Sequence, residues 1–189
     1  MFKDIYFTVY ALPLYVVIFL MVAGVICWMI CGVLMTRKKI GIWRFLNVFL
    51  CAVSIVVVAY FTLMNRTGNR NDLILRPFYS FVEAREQPEV YRSMLMNVFL
   101  FLPFGLTAPF AISNGKTGRK YEMAVIRHTV LSAIIFSVLV EGLQYIFQLG
   151  RTETDDVICN VLGTVIGTIS FGLCERMRRK GNKRKKNGK

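Results

Sequence analysis

Apolar residues run along this chain in five long stretches, at about 7–35, 42–64, 94–112, 123–148 and 157–174, parted by shorter polar segments. A helix needs about 20 apolar residues to cross a bilayer, and each stretch is near or above that length. The pattern predicts an all-α, polytopic membrane protein with about five transmembrane helices. The first stretch is longer than a signal-peptide core of roughly 7–15 residues, and no small-residue cleavage site follows it. It is expected to stay as a membrane span.

The polar positions refine this picture. Asn65, Gly68, Asn69 and Asn71 open the longest loop, 65–93, with turn chemistry. Phe78, Phe81 and Val82 then share a helical face opposite Glu83, Arg85 and Glu86. That spacing predicts a short helix in the membrane interface, ending near Pro88. Pro103 and Pro109 predict a kinked or broken third span, with neighbouring protein satisfying the freed backbone groups. Ser137, Glu141, Gln144 and Gln148 fall on one helix face, and Asp156, Asn160, Gly163 and Gly167 repeat the spacing on the next. Gly163 and Gly167 form a GxxxG pattern, which predicts close packing of the last span on a neighbour.

Composition and charge add an orientation. The 189 residues are 55% hydrophobic with mean hydropathy +0.50, too apolar for an ordinary soluble domain. The formal charge is +13. Most lysines and arginines border one set of span ends, in the loops 36–44 and 113–122 and in the tail 176–189. The positive-inside rule makes that side cytoplasmic, with the N-terminus and the 149–155 turn outside. The expected organisation is a first span with a basic loop at 1–44, a membrane domain at 45–175 and a disordered basic tail at 176–189. Basic residues that border apolar spans do not form a nucleic-acid-binding face. Cys27, Cys31, Cys51, Cys159 and Cys174 lie in or beside spans without metal-ligand spacing, as small apolar residues do.

Under this topology several polar residues gather at the outer end: Arg76, Asn97, Glu141, Gln144, Arg151, Asp155, Asp156 and Asn160. They make a candidate ligand-binding set. At about 1.5 Å per helical residue, Asn97 should lie roughly 5 Å inside and Glu141 roughly 10–12 Å. A charged residue at mid-span costs on the order of 3 kcal/mol, so Glu141 needs a partner or a task. Interhelical hydrogen bonds worth about 0.6 kcal/mol each are the plainer reading of the three amides. Helix capping is the plainer reading of Asp155 and Asp156. Arg151 and Asp156 each suit the dipole of their own helix and have reach to each other across the turn.

Three blocks carry a family resemblance. They are Leu73-Ile-Leu-Arg-Pro-Phe78, then Asn97-Val-Phe-Leu-Phe-Leu-Pro-Phe-Gly105, then Glu141-x-x-Gln144, Gly150-Arg151 and Asp155-Asp156-x-x-x-Asn160-x-x-Gly163. In this order they resemble the VanZ-like family of bacterial membrane proteins over about residues 45–175. Arg76 stands where the family usually has Ile, and Glu153 where it often has Asp. The resemblance implies a bacterial cell membrane and a link to resistance against teicoplanin-type lipoglycopeptides, with no settled reaction.

Three functions follow as expectations. The first is an envelope protein whose outer-leaflet pocket binds a lipid-linked cell-wall component or a lipoglycopeptide, with membrane lipids around it and no cofactor. Arginines suit phosphate and carboxylate groups there. The second is an enzyme acting on a lipid phosphate or amide, with Glu141 or Asp156 as catalytic base. In that case Glu141, Asp155 and Asp156 could hold Mg²⁺. The third is a small proton-coupled carrier using Glu141.

Overall fold

A computed structural model describes residues 26, 28–30, 40–64, 72–113, 116 and 118–187. The first predicted span lies almost wholly outside them, as do Cys27, Cys31 and the turn residues Asn65, Gly68, Asn69 and Asn71. The described chain forms α1 (Ile40–Ala59), which ends in a π-helical turn at Tyr60–Met64, then β1 (Leu73–Ile74) and α2 (Tyr79–Glu83). Next come α3 (Pro88–Ile112), α4 (Arg119–Ile146), β2 (Thr152–Glu153) and α5 (Thr154–Asn187). Among the described residues four helices, Gly41–Leu63, Pro88–Ile112, Arg119–Ile146 and Thr154–Asn182, are long and apolar enough to cross a membrane.

The exposure pattern is inverted relative to a water-soluble bundle. Phe45, Val56, Ile135 and Leu139 on α1 and α4 point outward. Asn47, Thr129, Ser137, Thr164 and Ser170 are buried. In a lipid solvent, polar side chains gain by turning to neighbouring helices, and apolar ones lose nothing by facing out. Several of the buried hydroxyls return to their own backbone: Thr129 donates to the Val125 carbonyl at 3.0 Å and Thr164 to that of Asn160 at 3.2 Å.

Helix α3 is the centre of the bundle. It packs most extensively on α5, then on α1, while α4 covers α5. The α3–α5 crossing depends on glycine. A Cβ at Gly105 would sit 2.7 Å from the Thr164 Cα, and one at Gly167 would sit 2.6 Å from the Leu106 nitrogen. One at Gly163 would overlap the Val98 carbonyl oxygen. The GxxxG pattern thus packs span against span.

Three boundaries differ from the sequence expectation. Helix α3 begins six residues early, with Pro88 in its first turn, where a missing N–H costs nothing. Pro88 therefore starts a span instead of ending the interfacial helix, and α2 is only five residues long. The third span is not broken at Pro103 or Pro109, since α3 runs through both. Finally, the tail expected to be disordered from Arg176 continues α5 as far as Asn187. Lysine and arginine are good helix formers, and the extension is pinned at its start. Arg178 pairs with Glu175 at 3.1 Å and Arg179 with Glu122 at 2.6 Å.

Candidate functional site

The loops 72–87 and 147–153 lie at the same end of the bundle and are tied by backbone pairing. Strands β1 and β2 run parallel, Leu73 opposite Thr152 and Ile74 opposite Glu153. The Thr152 N–H donates to the Asp72 carbonyl at 3.0 Å. Helix α4 ends at Ile146 with the Leu149 N–H returning to the Gln144 carbonyl at 2.9 Å. Gln148 therefore leaves the face shared by Ser137, Glu141 and Gln144 and takes a left-handed backbone, φ 54°.

Each predicted site residue has a definite place. Asp155, almost fully buried, clamps the loop before α2. Its two oxygens accept from the Phe78 N–H at 2.6 Å and the Ser80 N–H at 2.7 Å. Phe78 is held in the left-handed region, φ 65°, which a bulky side chain rarely adopts without such support. Ser80 also donates through its hydroxyl to Glu153. Glu141 accepts from the Glu153 N–H at 3.2 Å, Gln144 Nε2 donates to the Thr62 carbonyl at 2.9 Å, and Asn160 Nδ2 donates to the Ser137 hydroxyl at 2.9 Å. Asn97 Nδ2 donates to Asp156 at 2.6 Å, joining α3 to α5. Counting from the observed helix ends at about 1.5 Å per residue, Asn97 is roughly 13 Å inside and Glu141 roughly 7 Å. Asn97 is thus deeper, and Glu141 shallower, than the sequence spacing predicts.

Arg151 is held by two carboxylates. Its Nη2 lies 2.9 Å from Glu83 and its Nε 2.7 Å from Glu153. The hydrogen bond to Glu83 chiefly, with the charges of Glu153 and Glu83 adding, pushes the guanidinium above its ordinary range, and partial burial opposes them. Glu83 and Glu153, which hold Arg151, stand outside the candidate set expected from the sequence. Their signal was weak: one charge on the polar face of α2, one in the turn.

These contacts surround a cavity of about 370 Å³ between the end of α1, the first turns of α3 and the start of α5. Asn97, Arg151 and Asp156 line it, joined by Glu153, Glu89 and Ser93. Arg76, Glu141, Gln144, Asp155 and Asn160 do not. Arg76 is exposed in the loop before α2. The others brace the walls. Among the described residues no group of three or more His, Cys, Asp or Glu is placed to hold a metal ion. The acids proposed for Mg²⁺ face different partners: Glu141 a backbone N–H, Asp155 the α2 loop and Asp156 the Asn97 amide.

A sequence profile described as VanZ/LLP1 matches residues 7–175, most of the chain. This chain belongs to the VanZ/LLP1 family. Protein VanZ of Enterococcus faecium is 30% identical to it over 86 residues, which is 46% of this chain and 48% of the relative. The alignment thus spans about half the length of that protein. No solved structure matches. All three VanZ-like blocks meet at the cavity end. The first forms β1 and the clamped loop, the second supplies Asn97 and the Gly105 crossing, and the third supplies the turn, Arg151, Asp156 and Gly163.

Proposed function

We propose that this VanZ-like chain is a membrane protein of the bacterial cell envelope that contributes to glycopeptide resistance of the teicoplanin type. In this reading the cavity holds the polar part of a lipid-linked cell-wall component or of a lipoglycopeptide. The apolar part stays in the surrounding membrane lipid. No cofactor takes part. The observation that carries the reading is the cavity itself. It is polar and lies among span ends, and the Asn97–Asp156 and Gln144–Thr62 hydrogen bonds join the helices around it. Buried polar groups hold a cavity of this kind in shape before a ligand arrives, which lowers the ordering cost of binding.

The test is protection of a teicoplanin-sensitive bacterium. The wild-type chain is expected to raise the tolerated concentration, and Asp156→Ala at equal membrane level is expected to lose that protection. Full protection by both Asp156→Ala and a cavity-filling Ser93→Trp would remove the cavity from the function.

The reading requires the cavity to face outward. The excess of lysine and arginine at the opposite span ends supports that orientation. A cysteine introduced by Arg76→Cys should react with an impermeant maleimide on intact cells, and one introduced by Lys180→Cys only after permeabilisation. The reverse result would put the cavity in the cytoplasm and end the outer-leaflet reading.

A further inference from the structure

A second cavity lies at the other end of the bundle, and its lining is amphiphilic. It measures about 550 Å³ and is bounded by Leu173, Arg176, Met177, Arg179 and Lys180 of α5 and by Met29. Residues 173, 176, 177 and 180 are three and four apart, so they share one face of the helix. From Asp156 to Arg176 the helix rises about 30 Å, the thickness of a hydrocarbon core. Leu173 therefore stands at the depth of lipid chains, and Arg176 and Lys180 stand at the depth of headgroups.

This face is held in one orientation. Arg178 pairs with Glu175 at 3.1 Å and donates to the Lys116 carbonyl at 3.3 Å. Arg179 pairs with Glu122 of α4 at 2.6 Å. The Cys174 thiol donates to the Met29 carbonyl at 3.5 Å, which ties the facing wall to α5. These contacts fix the rotation of α5 and so the direction of its remaining cations. Arg176 and Lys180 are exposed, and among the described residues no ion pair engages either. A signal for topology alone needs only charge near a span end. It needs neither an apolar floor beneath the charge nor a helix end anchored to its neighbours.

We propose that this cavity binds an anionic phospholipid of the cytoplasmic leaflet. Arg176 and Lys180 hold the phosphate, the arginine through its planar fork and the lysine as a point charge. The first part of the acyl chains lies along Leu173 and Met177 against Met29. A face already fixed in position loses little freedom when the lipid arrives. The site is separate from the cavity at the opposite end and does not depend on what that cavity holds.

The test offers the full-length chain, purified in mild detergent, equal amounts of phosphatidylglycerol and phosphatidylcholine with the same acyl chains. Native mass spectrometry reads the retained lipid. Both lipids carry a phosphodiester, but choline brings its own cation into a cationic cluster. Phosphatidylglycerol should be retained over phosphatidylcholine by about tenfold. Arg176→Gln with Lys180→Gln, both at exposed positions, should bring the ratio near one at an unchanged elution volume. Lys185→Gln with Lys186→Gln removes the same charge from the far end of α5 and should leave the ratio near that of the wild type. Leu173→Trp keeps every charge and fills the apolar floor, so it should lower retention of phosphatidylglycerol. Equal retention of the two lipids by the wild type overturns the inference. So does an equal loss in the two double variants, which would mean diffuse attraction to a basic helix. Unchanged retention in Leu173→Trp also overturns it, because the cavity would then take no part.

Discussion

Gly163→Ala lowers the thermal stability of the purified chain, whereas Gly142→Ala does not. The two changes add the same methyl group to helices of the same protein. At Gly142 the new Cβ meets nothing within 4 Å, and helix propensity alone favours alanine. At Gly163 it would overlap the Val98 carbonyl oxygen, a backbone atom of α3 that cannot swing away as a side-chain end would. The two helices must part along their most extensive contact. Overpacking of this kind costs about 1–3 kcal/mol, and the upper end applies where backbone is the obstacle. Thermal unfolding followed by size exclusion in detergent reads the difference. Equal midpoints for the two variants would mean that α3 and α5 do not cross at Gly163.

Asp155→Ala loosens the cavity end without unfolding the bundle. The carboxylate holds two backbone N–H groups at 2.6 and 2.7 Å. Hydrogen bonds to a charged group contribute roughly 1.5–3 kcal/mol each. Phe78 keeps its left-handed backbone only while the loop is held. Amide exchange at Phe78 and Ser80 should accelerate on the order of 100-fold, the equivalent of about 3 kcal/mol of local opening. Exchange in the middle of α3 and α5 should stay near that of the wild type. Asp155→Asn retains one acceptor and should fall between the two. Equal acceleration in the loop and the helix core would make Asp155 a staple of the whole bundle instead of the clamp of one loop.

These two sites differ in how far they could be read before the structure. Gly163 and Gly167 stand four apart in an apolar run, a spacing that has one common meaning in membrane helices. The crossing with Gly105 bears that meaning out. From sequence, Asp155 reads as a turn residue, a cap or a ligand-binding carboxylate, and not as the clamp of a distant loop. Its partners lie more than seventy residues away in the chain, at Phe78 and Ser80. The Arg151 clamp is similar. Charge placement brought Arg151 and Asp156 to one end and to one cavity. The structure shows Arg151 held by Glu83 and Glu153, and Asp156 bonded to Asn97.

The sequence by itself determined that the described chain is helical, because apolar runs of bilayer length must satisfy their own backbone. It also determined that Ser137, Glu141 and Gln144 share an inward face, which end of the bundle carries the basic residues, and where two helices meet on glycine. Tertiary structure alone decided the two-residue β1–β2 pairing, too short to leave a pattern, and the helical continuation of α5 through its basic end. It also decided which acid holds which donor. Sequence spacing places a polar residue to within a helical turn, about 5 Å. A hydrogen bond is made or lost over a few tenths of an ångström, and the helix crossings set that final distance.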